Sequence, residues 1–253
     1  RPATLTIAGD LDRGSGLSSS AALETALVLA LLAVSGEDEP ADRRELARLA
    51  SRVENDWVGA ETGLLDQLAS LCGAAGHAIR IDFSTLDVEP VPLELGDWTL
   101  ITLDSGAKHS HATGGYNERH RETRAAADRL GIDNLSQARR QDLDRLPDPL
   151  DRRARHVLEE NARVDAMVEA LAAGDLPAAG RLLDASHASL RDLYDASVPA
   201  VERTVEQLKA AGAAGARMVG GGFGGAVLAL LGPGVVVPAG ALTVTPGPPA
   251  ALV

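Results

Sequence analysis

The run Gly14-Ser15-Gly16-Leu17-Ser18-Ser19-Ser20-Ala21 sets glycines and serines directly ahead of a long Ala/Leu stretch. Gly14 and Gly16 allow backbone conformations that a side chain would forbid, and the serines fall where a helix N-cap is wanted. The first N–H groups of the helix that follows would then point into the loop, where they favour an anion such as phosphate. A plain glycine turn ahead of a helix is the alternative, and the loop alone leaves the two open. It is not a P-loop, because none of Leu17 to Ala21 is basic and that motif needs a Lys to reach the terminal phosphates. The dinucleotide fingerprint fails as well, since its third glycine would fall on Ser19.

A second cluster, Gly220-Gly221-Gly222-Phe223-Gly224-Gly225, matches the dinucleotide string but leads into Ala226 to Leu231, which reads as a buried strand and not as the required helix. What remains is a strand-to-strand loop with almost no side chains, suited to close approach by a neighbouring loop or a ligand. Phosphoryl transfer needs a phosphate cradle, a divalent cation, and a group that orients or deprotonates the attacking hydroxyl. Gly14 to Ala21 offers the cradle. Magnesium prefers hard oxygen donors and water, so a cradle serine with a nearby carboxylate such as Glu54 would suffice, although Glu54 alone reads as a solvated helix flank. Asp66, within Gly63-Leu64-Leu65-Asp66-Gln67, would by itself be an ordinary helix-start carboxylate favoured by the dipole. His109, His111 and His120 lack the helical pairing of a zinc site and read as loop and surface residues.

The elements that must position these groups can be read coarsely. Leu5-Thr6-Ile7 reads as a strand entering the first loop, and Ala21 to Val34 as the helix leaving it. Leu46, Leu49, Ala50, Val53 and Trp57 predict a second helix, and Leu65, Leu68, Ala69 and Cys72 a third with Asp66 in its first turn. Ile79, Ile81 and Phe83 alternate with polar residues, as do Thr99, Ile101 and Leu103, predicting two strands. Gly106 to Tyr116 reads as a loop, and Asn117 to about Ala210 as nearly all helix, with stripes at Val157, Val164, Val168, Leu171 and at Val201, Val205, Leu208. Arg217 to Val219, the glycine loop and Ala226 to Leu231 predict a hairpin-like return, with one short strand at Ala241 to Thr245. Strands mixed with helical pairs imply an α+β fold.

The 253 residues, 45% hydrophobic, can bury a sizeable core as one large domain or two lobes. A net charge of −12 and 2% aromatic content argue against nucleic acid or an anionic membrane as partner. Cys72 is the only cysteine, which excludes an internal disulfide and a cysteine zinc site and points to a cytoplasmic, reducing setting. The longest apolar run, Ala26 to Val34, is far below the roughly 20 residues of a membrane helix, and no signal pattern opens the chain.

Taken together, these motifs resemble the GHMP family of small-molecule kinases, and within it the enzymes acting on galactose, from about Gly9 to Leu231. Gly14 to Leu23 is similar to the family's ATP-phosphate motif, and Met218 to Gly225 to its C-terminal glycine motif. Gly63 to Gln67 resembles the sugar-site segment; Asp104 to Arg121, with Ser110 and Tyr116, resembles the loop after it, and Arg155-His156-Val157 with Glu160-Asn161 adds to the match. The resemblance implies a lobe like ribosomal protein S5 domain 2 over residues 1–95 and a ferredoxin-like lobe over 96–253. It implies Asp66 as catalytic carboxylate facing the anomeric hydroxyl of galactose, with Gly63 and Tyr116 lining the sugar site. ATP would be held by Gly14, Ser15, Gly16, Leu17, Ser18, Ser19, Ser20 and Ala21 with Gly221 and Gly222, and magnesium by Ser20 and Glu54. Only small-molecule substrates and a monomer are expected.

Three departures qualify this. The family's Arg-x-Asn-x-x-Gly-Glu-His-x-Asp-Tyr segment is absent, Asp12 replaces a proline two residues before Gly14, and the tail after Leu231 is short. The chain opens on Arg1, not Met, and the expectation is a fragment lacking sugar contacts and inactive alone. A kinase for a related sugar such as N-acetylgalactosamine or arabinose, or a non-catalytic sugar-sensing regulator, remains the alternative. The intact Ser18-Ser19-Ser20-Ala21 favours an enzyme.

Overall fold

A computed structural model describes residues 4–9, 11, 18–58, 63–107 and 112–252, apart from the side chains at 57, 58, 112 and 113. They form two compact units, Arg1–Leu93 with Pro246–Val253, and Glu94–Thr245. The last eight residues therefore belong with the first unit, through Ala250 N–H to Ser70 O at 2.8 Å and Gly76 N–H to Pro246 O at 3.3 Å.

In the first unit, α1 (Ser19–Ser35), α2 (Arg43–Val53) and α3 (Leu65–Cys72) precede an antiparallel hairpin of β1 (His77–Asp82) and β2 (Asp87–Pro92), with His77 opposite Pro92 and Asp82 opposite Asp87. Helix α1 stops at Gly36, whose φ of 74° lets its N–H reach Ala33 O while Glu37 N–H bonds Leu32 O, a left-handed termination that glycine permits. Asp42 starts α2 by accepting from Arg44 N–H at 3.0 Å, which satisfies one orphan donor of the first turn. After Val53 the helix widens into a π-turn over Glu54–Val58. Leu29, Leu46, Ala47, Leu68 and Leu71 form the buried core, with Val28, Leu32, Ile81 and Val88 packed on it. Arg43 donates to Leu71 O and Ala250 O, both at 2.8 Å, and so ties α2 to the end of α3 and to the tail.

Several expectations are corrected in this unit. Residues 4–9 form no strand, are exposed throughout, and pair with no strand among the described residues. The buried side of α2 is Leu46, Ala47, Ala50 and Ser51, with Leu49 and Val53 exposed. That of α3 is Gln67, Leu68 and Leu71, with Leu65 exposed and Ala69 as well. β1 ends before Phe83, and β2 has no counterpart in the sequence reading.

In the second unit an antiparallel sheet runs β4-β5-β3-β6. Its strands are β3 (Thr99–Asp104), β4 (Ala213–Met218), β5 (Ala226–Leu231) and β6 (Leu242–Thr243), so the expected hairpin return and short last strand both form. Alternation along the strands divides the core. Ile101, Val227, Ala229 and Leu231 join Leu190, Val201 and Leu208, whereas Leu100 and Leu230 join Leu176, Ala179 and Met167. The helices are α4 (Ala112–Leu130), α5 (Leu150–Ala172), α6 (Leu176–Asp192) and α7 (Pro199–Ala210). Pro177 and Pro199 lie at the starts of α6 and α7, where a missing N–H costs nothing. The segment expected as a loop to Tyr116 is thus helical from Ala112. On α5, Val164 is exposed, although Val157 and Leu171 pack inward as read.

Candidate active site

The start of α1 meets the π-turn and the first turn of α3. Ser20 Oγ–H donates to Glu54 Oε1 at 3.1 Å, across 34 residues of chain. The other oxygen of the same carboxylate, Oε2, accepts from Gln67 Nε2 at 3.1 Å, and that amide also reaches Glu24 Oε2 at 3.4 Å. Gln67 is fully buried, and its Oε1 has no hydrogen-bond partner among the described residues. Burial, and then the neighbouring Glu54 carboxylate, push the Glu24 carboxyl above its ordinary value, while the Gln67 hydrogen bond pulls it part of the way back.

Local structure explains the arrangement. Ser19 and Ser20 open α1, and Ser18 caps it with φ 53° and no side-chain capping bond, while no acidic residue sits in the first turn. Among the described residues the N–H groups there lack the usual capping side chain, which is the condition for holding an anion. Ala21 is buried beneath them. The π-turn at Glu54–Val58 inserts an extra residue into the helical register, a device found often at functional sites. Gly63 lies exposed just ahead of α3, where an added Cβ would meet nothing within 4 Å. Asp66, in the first turn of α3, is exposed beside buried Gln67.

Of the residues expected at a phosphate and metal site, Ser20 and Glu54 are therefore in direct contact, and Asp66 adjoins the residue that bonds Glu54. Gly14, Ser15, Gly16 and Leu17 lie outside the described residues, as do His109, Ser110, His111 and Asp12. No three of His, Cys, Asp and Glu converge as a metal cluster among the described residues; the oxygens that meet here are the Ser20 hydroxyl and the Glu54 carboxylate. Gln67 and Glu24 were missed: a glutamine inside an apolar helix start gives no pattern that marks it.

The second unit builds the glycine loop tightly. Phe223 N–H donates to Ala196 O at 2.7 Å, Gly225 N–H to Ala107 O at 3.0 Å, and Ser105 N–H to Gly225 O at 3.0 Å. Gly222 has φ 84°, and a Cβ there would stand 2.6 Å from Ala196 O. At Gly221 a Cβ would stand 2.8 Å from the Tyr116 ring, and at Gly115 it would stand 2.6 Å from Phe223. Gly221, Gly222 and Tyr116 therefore share one packed place, and the close approach expected of the loop is made by neighbouring backbone and rings. Buried Arg153 supports that place by bonding Glu122 Oε2 at 2.7 Å and Leu193 O at 2.6 Å, ahead of Ala196.

No helix among the described residues is long and apolar enough to cross a membrane. Residues 1–74 match the model of the GHMP kinases N terminal domain, and 167–235 that of the GHMP kinases C terminal. A galactokinase of Mycobacterium tuberculosis is 48% identical over 233 residues, 90% of this chain and 64% of that protein. One of Thermotoga neapolitana is 43% identical over 230 residues, 90% of this chain and 65% of that protein. The chain thus spans just under two thirds of the length of these relatives. Among solved structures, Lactococcus lactis galactokinase complexed with galactose is similar at a TM-score of 0.82 and 37% identity, over 88% of this chain and 60% of that one. A homoserine kinase of Cytophaga hutchinsonii shares the fold at a TM-score of 0.53 and 19% identity, over 88% of this chain and 58% of that one. With an N-terminal and a C-terminal kinase domain model both matched and the mixed helix-and-sheet fold to go with them, the chain belongs to the GHMP kinase family.

Proposed function

We propose that this chain carries most of an ATP-dependent sugar-1-kinase that phosphorylates galactose at its anomeric hydroxyl. The observation that carries the reading is the Ser20–Glu54 contact at 3.1 Å, held from the same helix turn that bears Asp66. It brings a hydroxyl at a helix N-terminus, a carboxylate and a second, exposed carboxylate into one neighbourhood, which is the set of groups phosphoryl transfer requires. Similarity to galactokinases supports galactose as the substrate.

In this reading the backbone N–H groups from Gly14 to Ala21 hold the phosphates of ATP. Ser20 and Glu54 hold magnesium, to which a hydroxyl and carboxylates are suited as hard oxygen donors; when bound, the ion offsets charge on the phosphate oxygens. The mutual repulsion of Glu24 and Glu54 is the surplus negative charge that such a cation relieves. Asp66 accepts the proton of the anomeric hydroxyl as that oxygen attacks the terminal phosphorus and the bond from that phosphorus to the bridging oxygen breaks, releasing ADP; Gly63 and Tyr116 border the sugar. Gly221 and Gly222 contact ATP through their backbone. Residues 1–93 with 246–253 form the unit bearing the phosphate loop and 94–245 the other, so the lobe boundaries expected at 95 and 96 are corrected at the tail; the working protein is a cytoplasmic monomer.

The test is ATP-dependent formation of galactose 1-phosphate by the chain joined to an upstream segment bearing the family's Arg-x-Asn-x-x-Gly-Glu-His-x-Asp-Tyr motif. Asp66→Asn should lose about 10²–10⁴-fold in kcat, the usual size of a general-base contribution, with MgATP affinity kept. Near-parental turnover by Asp66→Asn would remove the assignment.

A further inference from the structure

We infer that Gln67 is a positioning residue of the cation centre, an uncharged fork that fixes Glu54 towards Ser20 and holds Glu24 beside it. The inference rests on the reading of Ser20 and Glu54 as metal ligands. Glu54 is gripped at both oxygens, by Ser20 at Oε1 and by Gln67 at Oε2, each at 3.1 Å. The second grip limits rotation of the carboxylate about its last side-chain bond. The same amide reaches Glu24 Oε2 at 3.4 Å, so one donor group is shared by two carboxylates that repel one another.

The residue type matters. A Lys or Arg could bridge both carboxylates but would cancel the charge that attracts a cation. A Leu or Met would fill the space and bridge nothing. Glutamine is fully buried here and its Oε1 finds no partner among the described residues, a cost that an apolar side chain filling the same space would not incur. Partners behind a metal ligand that fix its orientation typically affect affinity about 10–100-fold. Gln67 meets that description, and its neighbour Asp66 gives the same turn of α3 a second task at the site.

The experiment has two arms. In the first, the unchanged chain is labelled with ¹⁵N, and Mg²⁺ is titrated with and without a non-hydrolysable ATP analogue. The Gln67 side-chain NH₂ resonances should shift with the metal, and that shift should vanish in Glu54→Gln. In the second, Mn²⁺ affinity is measured directly for the parent, Ser20→Ala, Glu54→Gln and Gln67→Met. Gln67→Met should bind Mn²⁺ at least about tenfold more weakly while metal-free ATP affinity holds. Should Gln67→Met fail to fold, the first arm decides alone. Loss of Mn²⁺ binding in Ser20→Ala and Glu54→Gln, together with unmoved Gln67 resonances and an unchanged Gln67→Met affinity, overturns the inference and leaves the ligand reading intact. Unchanged Mn²⁺ binding in Ser20→Ala and Glu54→Gln overturns both.

Discussion

The Tyr116 ring rests on the backbone of Gly221, so that a Cβ at position 221 would lie 2.8 Å from Cδ2 and 3.0 Å from Cε2. A residue expected at the sugar and one expected at the nucleotide are thus mechanically one. Gly221→Ala must displace the ring, because a methyl cannot occupy that space. The expected result is a KM for galactose raised about tenfold, equivalent to ~1.4 kcal/mol. Tyr116→Ala should add little in the Gly221→Ala background, since contacting residues do not act independently. Steady-state kinetics with each substrate varied in turn checks this; a rise confined to the KM for ATP would show that the ring contact is not passed on to the sugar.

Acid should destabilise the second unit through His156. Its ring lies 2.8 Å from Ser189 Oγ and stacks on Tyr194 with centroids 4.5 Å apart. Burial pushes the imidazole down to about 4, with Arg163, Arg217 and Arg153 assisting and Glu160 opposing. The folded state therefore resists a proton that the unfolded chain accepts from about pH 6.5 downward. Stability is complete above that pH and falls as pH drops towards 4, by on the order of 3 kcal/mol in all. His187, also pushed down by burial, works in the same direction. Urea unfolding at pH 7 and pH 5 should show the loss, and His156→Asn should shrink the difference; an equal loss in both proteins would acquit His156.

How far the sequence could be read depended on what each residue's pattern reports. Val201, Val205 and Leu208 repeat at helical spacing and pack inward as expected. Thr99, Ile101 and Leu103 alternate and form β3, because those periods follow from backbone geometry. β2 went unread since Asp87, Glu89, Pro90 and Pro92 offer little apolar alternation, and prolines are tolerated only where a strand need not donate on both sides. The Gly114-Gly115 pair hid the first turn of α4, being poor helix formers. At the site, Ser20, Glu54 and Asp66 could be singled out by type and motif. The bond from Gln67 to Glu54 could not, because it depends on a π-turn that no spacing rule announces.

Helix α6 crosses β4 with almost no separation, and Gly215→Ala should expose how much depends on it. A Cβ on Gly215 would stand 1.9 Å from Gly180 O, and one on Gly180 would stand 2.9 Å from Ala214. Both obstacles include main chain, which cannot turn aside as a side chain would. Overpacking commonly costs about 1–3 kcal/mol, and this contact should reach the top of that range. The readout is the urea midpoint at unchanged m-value; a midpoint within error of the parent would mean that helix and strand can separate freely.

Neighbouring glycines in the first turn of α4 should answer in opposite directions. At Gly114 an added Cβ meets nothing within 4 Å, the residue is exposed in a helix, and Ala is preferred there by ~1 kcal/mol. Gly114→Ala should therefore raise the unfolding midpoint without touching activity. At Gly115 the same methyl would enter the Phe223 ring, 2.6 Å from Cε1 and 2.8 Å from Cζ. Phe223 has little freedom to retreat, because its backbone sits at φ 61° and its N–H is committed to Ala196 O at 2.7 Å. Gly115→Ala must then push the ring and the glycine loop that carries it, costing about 1–3 kcal/mol and moving Gly221 and Gly222. Thermal unfolding of the two variants with MgATP absent and present separates the effects. Gly114→Ala should keep the parental ligand-induced stabilisation, whereas Gly115→Ala should lose part of it; equal behaviour of the two would show that Phe223 does not hold the loop in place.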